Sequence, residues 1–311
     1  MSRAFVFPGQ GAQTIGMGHA LAEVYPAARA VFEEVDDALG ESLSSLIWKG
    51  EQETLTLTQN AQPALMATSL AAFRALQSEG VTLDEVSFAA GHSLGEYSAL
   101  AATGAISLAD TARLLRLRGE VMQKAVPVGV GGMAALLGLG FEDVKAVADE
   151  AAQGQICQAA NDNDPGQVVV SGHKEAVERA VDIAKANGAR RAVLLPVSAP
   201  FHCALMEPAA QAMEAALKEV TILPPAVPLV ANVLAEGVND PDAIRTLLVR
   251  QITGSVRWRE SIMWMGTQGV TDIWEIGAGK ALSGMIRRIN KEITTRNIGV
   301  PDDVSAAAQN L

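Results

Sequence analysis

A chain of 311 residues is long enough to form one large α/β domain, or such a domain with a smaller one inserted in it. Hydrophobic residues make up 49% of the sequence and aromatic residues only 4%, which favours an aliphatic core between helices and a parallel sheet. The net charge of −11 argues against nucleic acid and anionic membrane surfaces as partners.

Membrane spans, disulfides and metal sites have no sequence signal. No apolar run reaches the roughly 20 residues that a membrane-spanning helix needs. The two cysteines, Cys157 and Cys203, suggest neither a disulfide framework nor a zinc site. We therefore expect a cytoplasmic enzyme that binds no membrane and no metal. We also expect a monomer without a permanent cofactor.

The first predicted strand ends at Pro8 and leads into a glycine-rich loop, 9–13. Two helices follow, and the second begins at Pro26 and ends at Gly40. A third helix is predicted at 61–79, with Gly80 as its C-terminal stop.

A short apolar strand at 86–90 runs into Gly91-His92-Ser93-Leu94-Gly95, and a helix rich in alanine and leucine comes next. A Gly-x-Ser-x-Gly sequence between a strand and a helix is typical of a nucleophile elbow. The tight turn raises the serine hydroxyl above the sheet, beside N–H groups at a helix N-terminus. Ser93 is therefore the candidate nucleophile.

The pattern changes after Pro127. Strands are predicted at 132–140, 155–160, 167–171 and 190–195, helices at 141–152 and 173–187, and a turn at 161–166. The order βαββαβ is that of a ferredoxin-like unit. We expect 127–195 to be an inserted small domain and 1–126 and 196–311 to form the large α/β domain. In the latter, strands near 227–231, 271–276 and 296–299 alternate with helices, and the residues from Pro301 form a loose tail.

A nucleophilic serine needs a base, and the chain has four histidines. His19 begins an early helix, His173 lies in a turn of the small domain, and the side chain of His92 should point away from that of Ser93. His202 follows the stiff segment 196–201, and elimination makes it the best base.

Three arginines, Arg113, Arg116 and Arg118, lie on a helix that Ser107 caps. Arg113 and Arg116 share a face, and Arg118 points elsewhere. Among leucines an arginine either extends its head group to solvent or binds an anion. The sequence alone leaves both readings open.

Five motifs occur in order along the chain: 7–13, 91–97, 117–119, 132–135 and 202–206. Together they resemble the malonyl-CoA:acyl-carrier-protein transacylases of type II fatty acid synthesis, over nearly the whole chain. The resemblance implies an α/β-hydrolase-like large domain with a parallel sheet and a ferredoxin-like insert. It also implies ping-pong transfer of malonyl from malonyl-CoA, through an ester on Ser93, to the phosphopantetheine thiol of acyl carrier protein.

The resemblance further implies residue roles. His202 would be the base, Gln251 would orient it through a side-chain or backbone carbonyl, and the backbone N–H groups of Gln10 and Leu94 would form the oxyanion hole. Arg118 would bind the free malonyl carboxylate, and Met133 would line the acyl pocket.

Phe201 departs from the fatty-acid members, in which serine is usual at this position, and resembles malonyl-selecting polyketide acyltransferase modules. We also assign Phe201 to the acyl pocket and expect its ring to crowd a methylmalonyl branch. A polyketide or malonate-decarboxylase carrier is therefore an alternative acceptor. A serine hydrolase and a non-catalytic docking module are the competing classes; the first lacks an identifiable acidic triad member, and the second does not need Ser93, His202 and Arg118.

Basic residues are enriched near the C-terminus, where 245–300 contains nine Lys/Arg against four Asp/Glu. Carrier proteins of this pathway are acidic, so we expect basic side chains near the cleft to guide docking. The candidates for this carrier-docking set are Arg190, Arg191, Lys280, Arg287 and Arg288.

Overall fold

The computed structural model describes residues 2–197 and 199–309. The strands there are β1 (Ser2–Phe7), β2 (Val86–Gly91), β3 (Gly131–Leu137), β4 (Cys157–Asp164), β5 (Gln167–His173), β6 (Arg191–Leu194), β7 (Leu229–Val230), β8 (Gly237–Val238), β9 (Val270–Ile276) and β10 (Thr294–Ile298). The α-helices are α1 (His19–Val24), α2 (Pro26–Leu39), α3 (Leu43–Lys49), α4 (Gln52–Thr56), α5 (Thr58–Ser78), α6 (Gly95–Ala102), α7 (Leu108–Lys124), α8 (Phe141–Ala152), α9 (Lys174–Ala186), α10 (Glu207–Lys218), α11 (Pro241–Thr253), α12 (Trp258–Thr267), α13 (Ala281–Ile289) and α14 (Pro301–Ala308).

The larger sheet has the strand order β10-β9-β1-β2-β7-β8. Its pairings are parallel except that between β7 and β8. Phe7, the last residue of β1, pairs with Gly91, the last residue of β2. The glycine-rich loop after β1 and the serine-bearing turn after β2 therefore leave the same edge of the sheet, where open α/β sheets bind ligands.

Apolar side chains cover both faces of this sheet. On one face Phe5 stacks on Trp274 with ring centroids 5.6 Å apart, and α5 packs with most of its side chains buried. On the other face Val6 belongs to a cluster with Trp258 of α12. Successive residues of β1 thus enter different cores, as the two-residue period of a strand requires.

The smaller sheet is antiparallel, with the order β4-β5-β3-β6. Along the chain its elements follow the predicted order βαββαβ. Ala134 and Leu136 of β3 pack under α8 and α9 in a separate core. The intervening residues Met133 and Ala135 lie on the opposite face, in a buried cluster against which Phe201 packs. The small sheet thus presents one face to its own helices and the other to the segment that carries His202.

The turn predicted at 161–166 is wrong for most of that range. Strand β4 continues to Asp164, interrupted by register shifts between Ala159 and Asn161 and between Asp162 and Asp164. The Asp162 N–H donates to the Val256 carbonyl at 2.9 Å, so this strand also joins the small sheet to the segment before α12. The sequence predicts a loop for this polar run because the partners of its side chains lie far away along the chain.

The loose tail expected from Pro301 is also wrong. Helix α14 spans Pro301–Ala308, with proline in the first turn and Val304 and Ala307 buried. The Asp303 carboxylate accepts from the backbone N–H groups of Gly299 and Val300 at 3.0 and 3.1 Å, and so fixes the helix start. The short helices α3 and α4 had not been predicted, and α5 begins three residues earlier than expected.

Candidate active site

The turn between β2 and α6 holds Ser93 in a strained conformation. Its φ of 52° lies in the left-handed region, which costs a non-glycine residue about 1–3 kcal/mol. A Cβ on Gly91 would lie 1.9 Å from the Gly95 carbonyl, and one on Gly95 would lie 2.2 Å from the Phe7 carbonyl oxygen. Both flanking glycines are therefore required for the turn to close against β1.

His202 meets the serine at this turn. Its Nε2 lies 2.8 Å from Ser93 Oγ, and its Nδ1 lies 2.9 Å from the backbone carbonyl oxygen of Gln251. Because a carbonyl only accepts, Nδ1 carries the proton and Nε2 is left to accept from the hydroxyl. Burial, with a further effect from the Arg118 charge, lowers the pKa of His202 to about 3. The ring is therefore neutral near pH 7 and can act as a base.

Arg118 is 1% exposed and stands beside the same hydroxyl. One terminal nitrogen donates to Ser93 Oγ at 3.2 Å and to Gln251 Oε1 at 2.7 Å, and the other donates to Gln62 Oε1 at 2.6 Å. Among the described residues no carboxylate forms a direct ion pair with it. A buried cation held only by neutral oxygens is suited to bind an anionic group.

The other two arginines of α7 are engaged elsewhere. Arg113 forms an ion pair with Asp110 at 3.0 Å, and Arg116 pairs with Glu41 and donates to the Gln59 carbonyl. The structure thus separates them from Arg118 and leaves one guanidinium at the serine.

A cavity of about 380 Å³ opens above these groups, within the usual size range for small-molecule sites. Gln251 lies behind the cavity, where its backbone carbonyl accepts from His202 and its side-chain oxygen accepts from Arg118. The Gln10 side chain is held by Thr58, whose hydroxyl donates to Oε1 at 2.7 Å. The lining includes seven of the residues expected from the sequence: Gln10, Ser93, Leu94, Arg118, Met133, Phe201 and His202.

The remaining histidines have other partners. His92 Nε2 lies 2.8 Å from Asn163 Oδ1, and His173 Nδ1 accepts from the Ile156 N–H at 2.9 Å. His19 packs against Trp48, with ring centroids 4.9 Å apart. Residues 2–197 and 199–309 contain no group of three or more His, Cys, Asp or Glu side chains that could hold a metal ion.

Three residues of this site were not singled out from the sequence. Asn232 follows β7; its Oδ1 accepts from the Ser93 N–H at 2.8 Å and its Nδ2 donates to the Gly91 carbonyl at 2.7 Å. Gln62 binds Arg118, and the buried Glu96 binds Gln251. A polar residue at the carboxyl end of a buried strand, and a carboxylate inside an alanine-rich helix, were the available signals.

The carrier-docking set does not form one patch. Arg190 and Arg288 line a surface cleft with Asp164, to which Arg288 is paired at 2.8 Å. Lys280 lines a different cavity, near Asp303. All five side chains belong to exposed residues.

In the described residues no helix is both long and apolar enough to cross a membrane.

A serine on a strained strand–helix turn, hydrogen-bonded to a neutral imidazole above a parallel sheet, defines an enzyme site for serine-dependent acyl transfer. The comparisons with known proteins agree and go further. The sequence profile of the acyl transferase domain matches residues 4–278. A malonyl CoA-acyl carrier protein transacylase of Bacillus subtilis is 47% identical over 309 residues, which is 99% of this chain and 96% of that protein.

Solved structures extend the similarity to the whole fold. An acyl-carrier-protein S-malonyltransferase from Bartonella henselae superposes with a TM-score of 0.98 at 56% identity, covering 100% of this chain and 99% of that one. A malonyl-transacylase solved with a type II PKS acyl-carrier protein superposes with a TM-score of 0.97 at 43% identity, covering 100% of both chains. The chain belongs to the family of malonyl CoA-acyl carrier protein transacylases.

Proposed function

We propose that this enzyme transfers a malonyl group from malonyl-CoA to the phosphopantetheine thiol of an acyl carrier protein, through an ester on Ser93, and supplies malonyl carrier for fatty acid biosynthesis. One observation supports this most strongly: Ser93 Oγ lies 2.8 Å from a neutral imidazole and 3.2 Å from a buried guanidinium, with which no carboxylate of the described residues forms an ion pair. The relatives named above point to malonyl-CoA and the carrier protein as the two substrates.

In the first half-reaction His202 Nε2 takes the Ser93 proton as the hydroxyl oxygen attacks the thioester carbonyl. The backbone N–H groups of Gln10 and Leu94 stabilise the oxyanion of the tetrahedral intermediate. The imidazolium, supported at Nδ1 by the Gln251 carbonyl, returns the proton to the departing CoA sulfur.

In the second half-reaction His202 takes the proton of the carrier thiol, whose sulfur attacks the malonyl ester. The Ser93 oxygen leaves and regains its proton from the imidazole. During both halves Arg118 holds the free malonyl carboxylate by charge-assisted hydrogen bonds, which a simple acyl group cannot make.

The acyl pocket further favours a small unbranched malonyl group. Phe201 and Met133 line the cavity, and the aromatic ring of Phe201 would crowd a 2-methyl branch. The relative rates with malonyl-CoA and methylmalonyl-CoA check this; similar rates would remove Phe201 as a selectivity element. A polyketide carrier is the alternative acceptor. Phe201 favours it, and so does the similarity to a malonyl-transacylase that was solved in complex with a type II PKS acyl-carrier protein.

We further propose that 1–126 and 196–311 form an α/β-hydrolase-like domain and that 127–195 is an inserted ferredoxin-like domain. The separate cores of the two sheets and the strand order β4-β5-β3-β6 support this division. A cytoplasmic monomer without a permanent cofactor remains part of the proposal.

Intact mass spectrometry tests the proposed function. Mixing with malonyl-CoA should add one malonyl group to the Ser93 peptide, and later addition of holo carrier protein should discharge it onto the carrier. A fatty-acid carrier and a polyketide carrier, tested in parallel, identify the preferred acceptor. If no adduct forms, or if water discharges the adduct as fast as either carrier does, the transferase assignment is wrong.

Docking of the carrier gives a second prediction. The double variant Arg287→Glu, Arg288→Glu should raise the KM for carrier protein about tenfold at low salt, because it replaces two exposed positive charges by negative ones and leaves Asp164, the ion-pair partner of Arg288, uncompensated, so that this surface repels an acidic partner. The KM for malonyl-CoA should not change, and the difference should shrink in 0.5 M salt. Lys145→Glu, an exposed change on α8, is the control. An unchanged KM for carrier would exclude this pair from docking.

A further inference from the structure

Helix α6 contains a buried carboxylate for which the reaction above has no use. Glu96 is 1% exposed and lies three residues after the nucleophile. Its Oε2 accepts from Gln251 Nε2 at 2.7 Å and from the Asn232 N–H at 3.2 Å. Its Oε1 has no hydrogen-bond partner among the described residues. Burying a carboxylate in this way is costly unless a nearby charge compensates it.

The compensating charge is Arg118, reached through a neutral amide. Gln251 receives the guanidinium N–H at Oε1 and donates from Nε2 to Glu96. The two groups that donate hydrogen bonds to Glu96 are uncharged: Gln251 of α11 and Asn232, which follows β7. On α6 itself, the titratable neighbour of Glu96 is Tyr97. The positive charge of Arg118 and the negative charge of Glu96 thus lie on opposite sides of the Gln251 side chain.

We propose that Glu96 is a positioning residue that sets how strongly Arg118 binds an anionic acyl group, and that Glu96 takes up a proton when this group binds. The inference rests on the proposed function, since it needs a substrate carboxylate at Arg118. When that carboxylate arrives, two negative charges share one guanidinium in a buried site, so one of them is neutralised. The substrate carboxylate contacts the guanidinium directly, and Glu96 is therefore the group that becomes protonated.

The pKa values of Glu96 and of the titratable groups around it are consistent with this assignment. Burial raises the pKa of Glu96 to about 7, whereas burial lowers that of His202 to about 3 and raises that of Tyr97 to about 12. Binding an anion raises the pKa of Glu96 further, so the protonated enzyme binds malonyl more tightly. The KM for malonyl-CoA should therefore be low below pH 7 and rise about tenfold above pH 8, as a one-unit shift in pKa on binding predicts.

The test uses acetyl-CoA as a reference, because it shares the CoA group but has no free carboxylate. The KM for malonyl-CoA and the inhibition constant of acetyl-CoA are measured from pH 6 to 9. We expect their ratio to rise about tenfold in the unaltered enzyme, which requires no variant to fold. In Glu96→Gln the ratio should stay flat at its low-pH value, while Ser98→Ala, an equally buried change on the same helix, should keep the rise.

Each outcome decides the question. A flat ratio in the unaltered enzyme, or the same rise in Glu96→Gln, would overturn the role of Glu96. If Glu96→Gln weakened the binding of malonyl-CoA and of acetyl-CoA equally, the role of Glu96 would be purely structural, and the proposal would be overturned as well. In all these cases malonyl transfer itself would continue, whereas failure of the proposed function would appear as no transfer in the unaltered enzyme.

Discussion

Replacement of Ser93 by alanine should lower kcat/KM for malonyl transfer roughly 10⁶-fold, the scale of loss when a serine enzyme loses its nucleophile. The hydroxyl forms the covalent intermediate, and no other described hydroxyl lies between His202 and Arg118 in this way. Transfer is measured by steady-state kinetics, and adduct formation by intact mass. His202→Ala should have a comparable effect, and the double variant should add little, because the two side chains act as one unit.

Ser98→Ala is the matched control for this experiment. Ser98 lies on α6 five residues after the nucleophile and is fully buried, yet its hydroxyl has no hydrogen-bond partner in the described structure. Its removal should leave transfer within a few-fold of the unaltered rate. A Ser93→Ala protein that still formed a malonyl adduct would contradict the covalent mechanism. If the losses of the two single variants multiplied in the double variant, Ser93 and His202 would not act as one unit.

The elbow could be predicted from the sequence because its determinants are local. Two glycines, a serine and the change from strand to helix lie within a few residues, and the structure accounts for both glycines by backbone contacts shorter than a side chain permits. The order βαββαβ was predictable for the same reason, since each element carries its own period of apolar residues.

The network behind the serine could not be predicted in this way. Asn232 binds the Ser93 N–H across 139 residues, and Glu96 binds Gln251 across 155. Neither partner has a local pattern that selects the other, because only the sheet order brings their strands and helices together. The misread turn at 161–166 has the same origin, since its polar side chains pair with Arg259, Arg288 and His92.

Substitution of Arg118 by alanine should have the second largest effect, and a selective one. We expect kcat/KM for malonyl-CoA to fall about 10³-fold, since two charge-assisted hydrogen bonds of roughly 2 kcal/mol each are lost. Acylation by acetyl-CoA should change less than about tenfold, because that substrate has no carboxylate to leave unpaired. The rate of acyl-serine formation with each thioester, measured by rapid quench and mass spectrometry, gives the ratio.

Two variants separate charge from geometry at this position. Arg118→Lys keeps the positive charge but loses the planar fork that binds a carboxylate at two points, so it should recover only part of the malonyl rate. The control is Arg116→Ala. The guanidinium of Arg116 lies on the same helix but binds Gln59 and Asn60 outside the cavity, so its removal should leave the ratio of the malonyl and acetyl acylation rates unchanged. An equal fall with both thioesters in Arg118→Ala would mean that the arginine only supports the serine. A selective fall would make Arg118 the group that recognises the free carboxylate of the acyl chain.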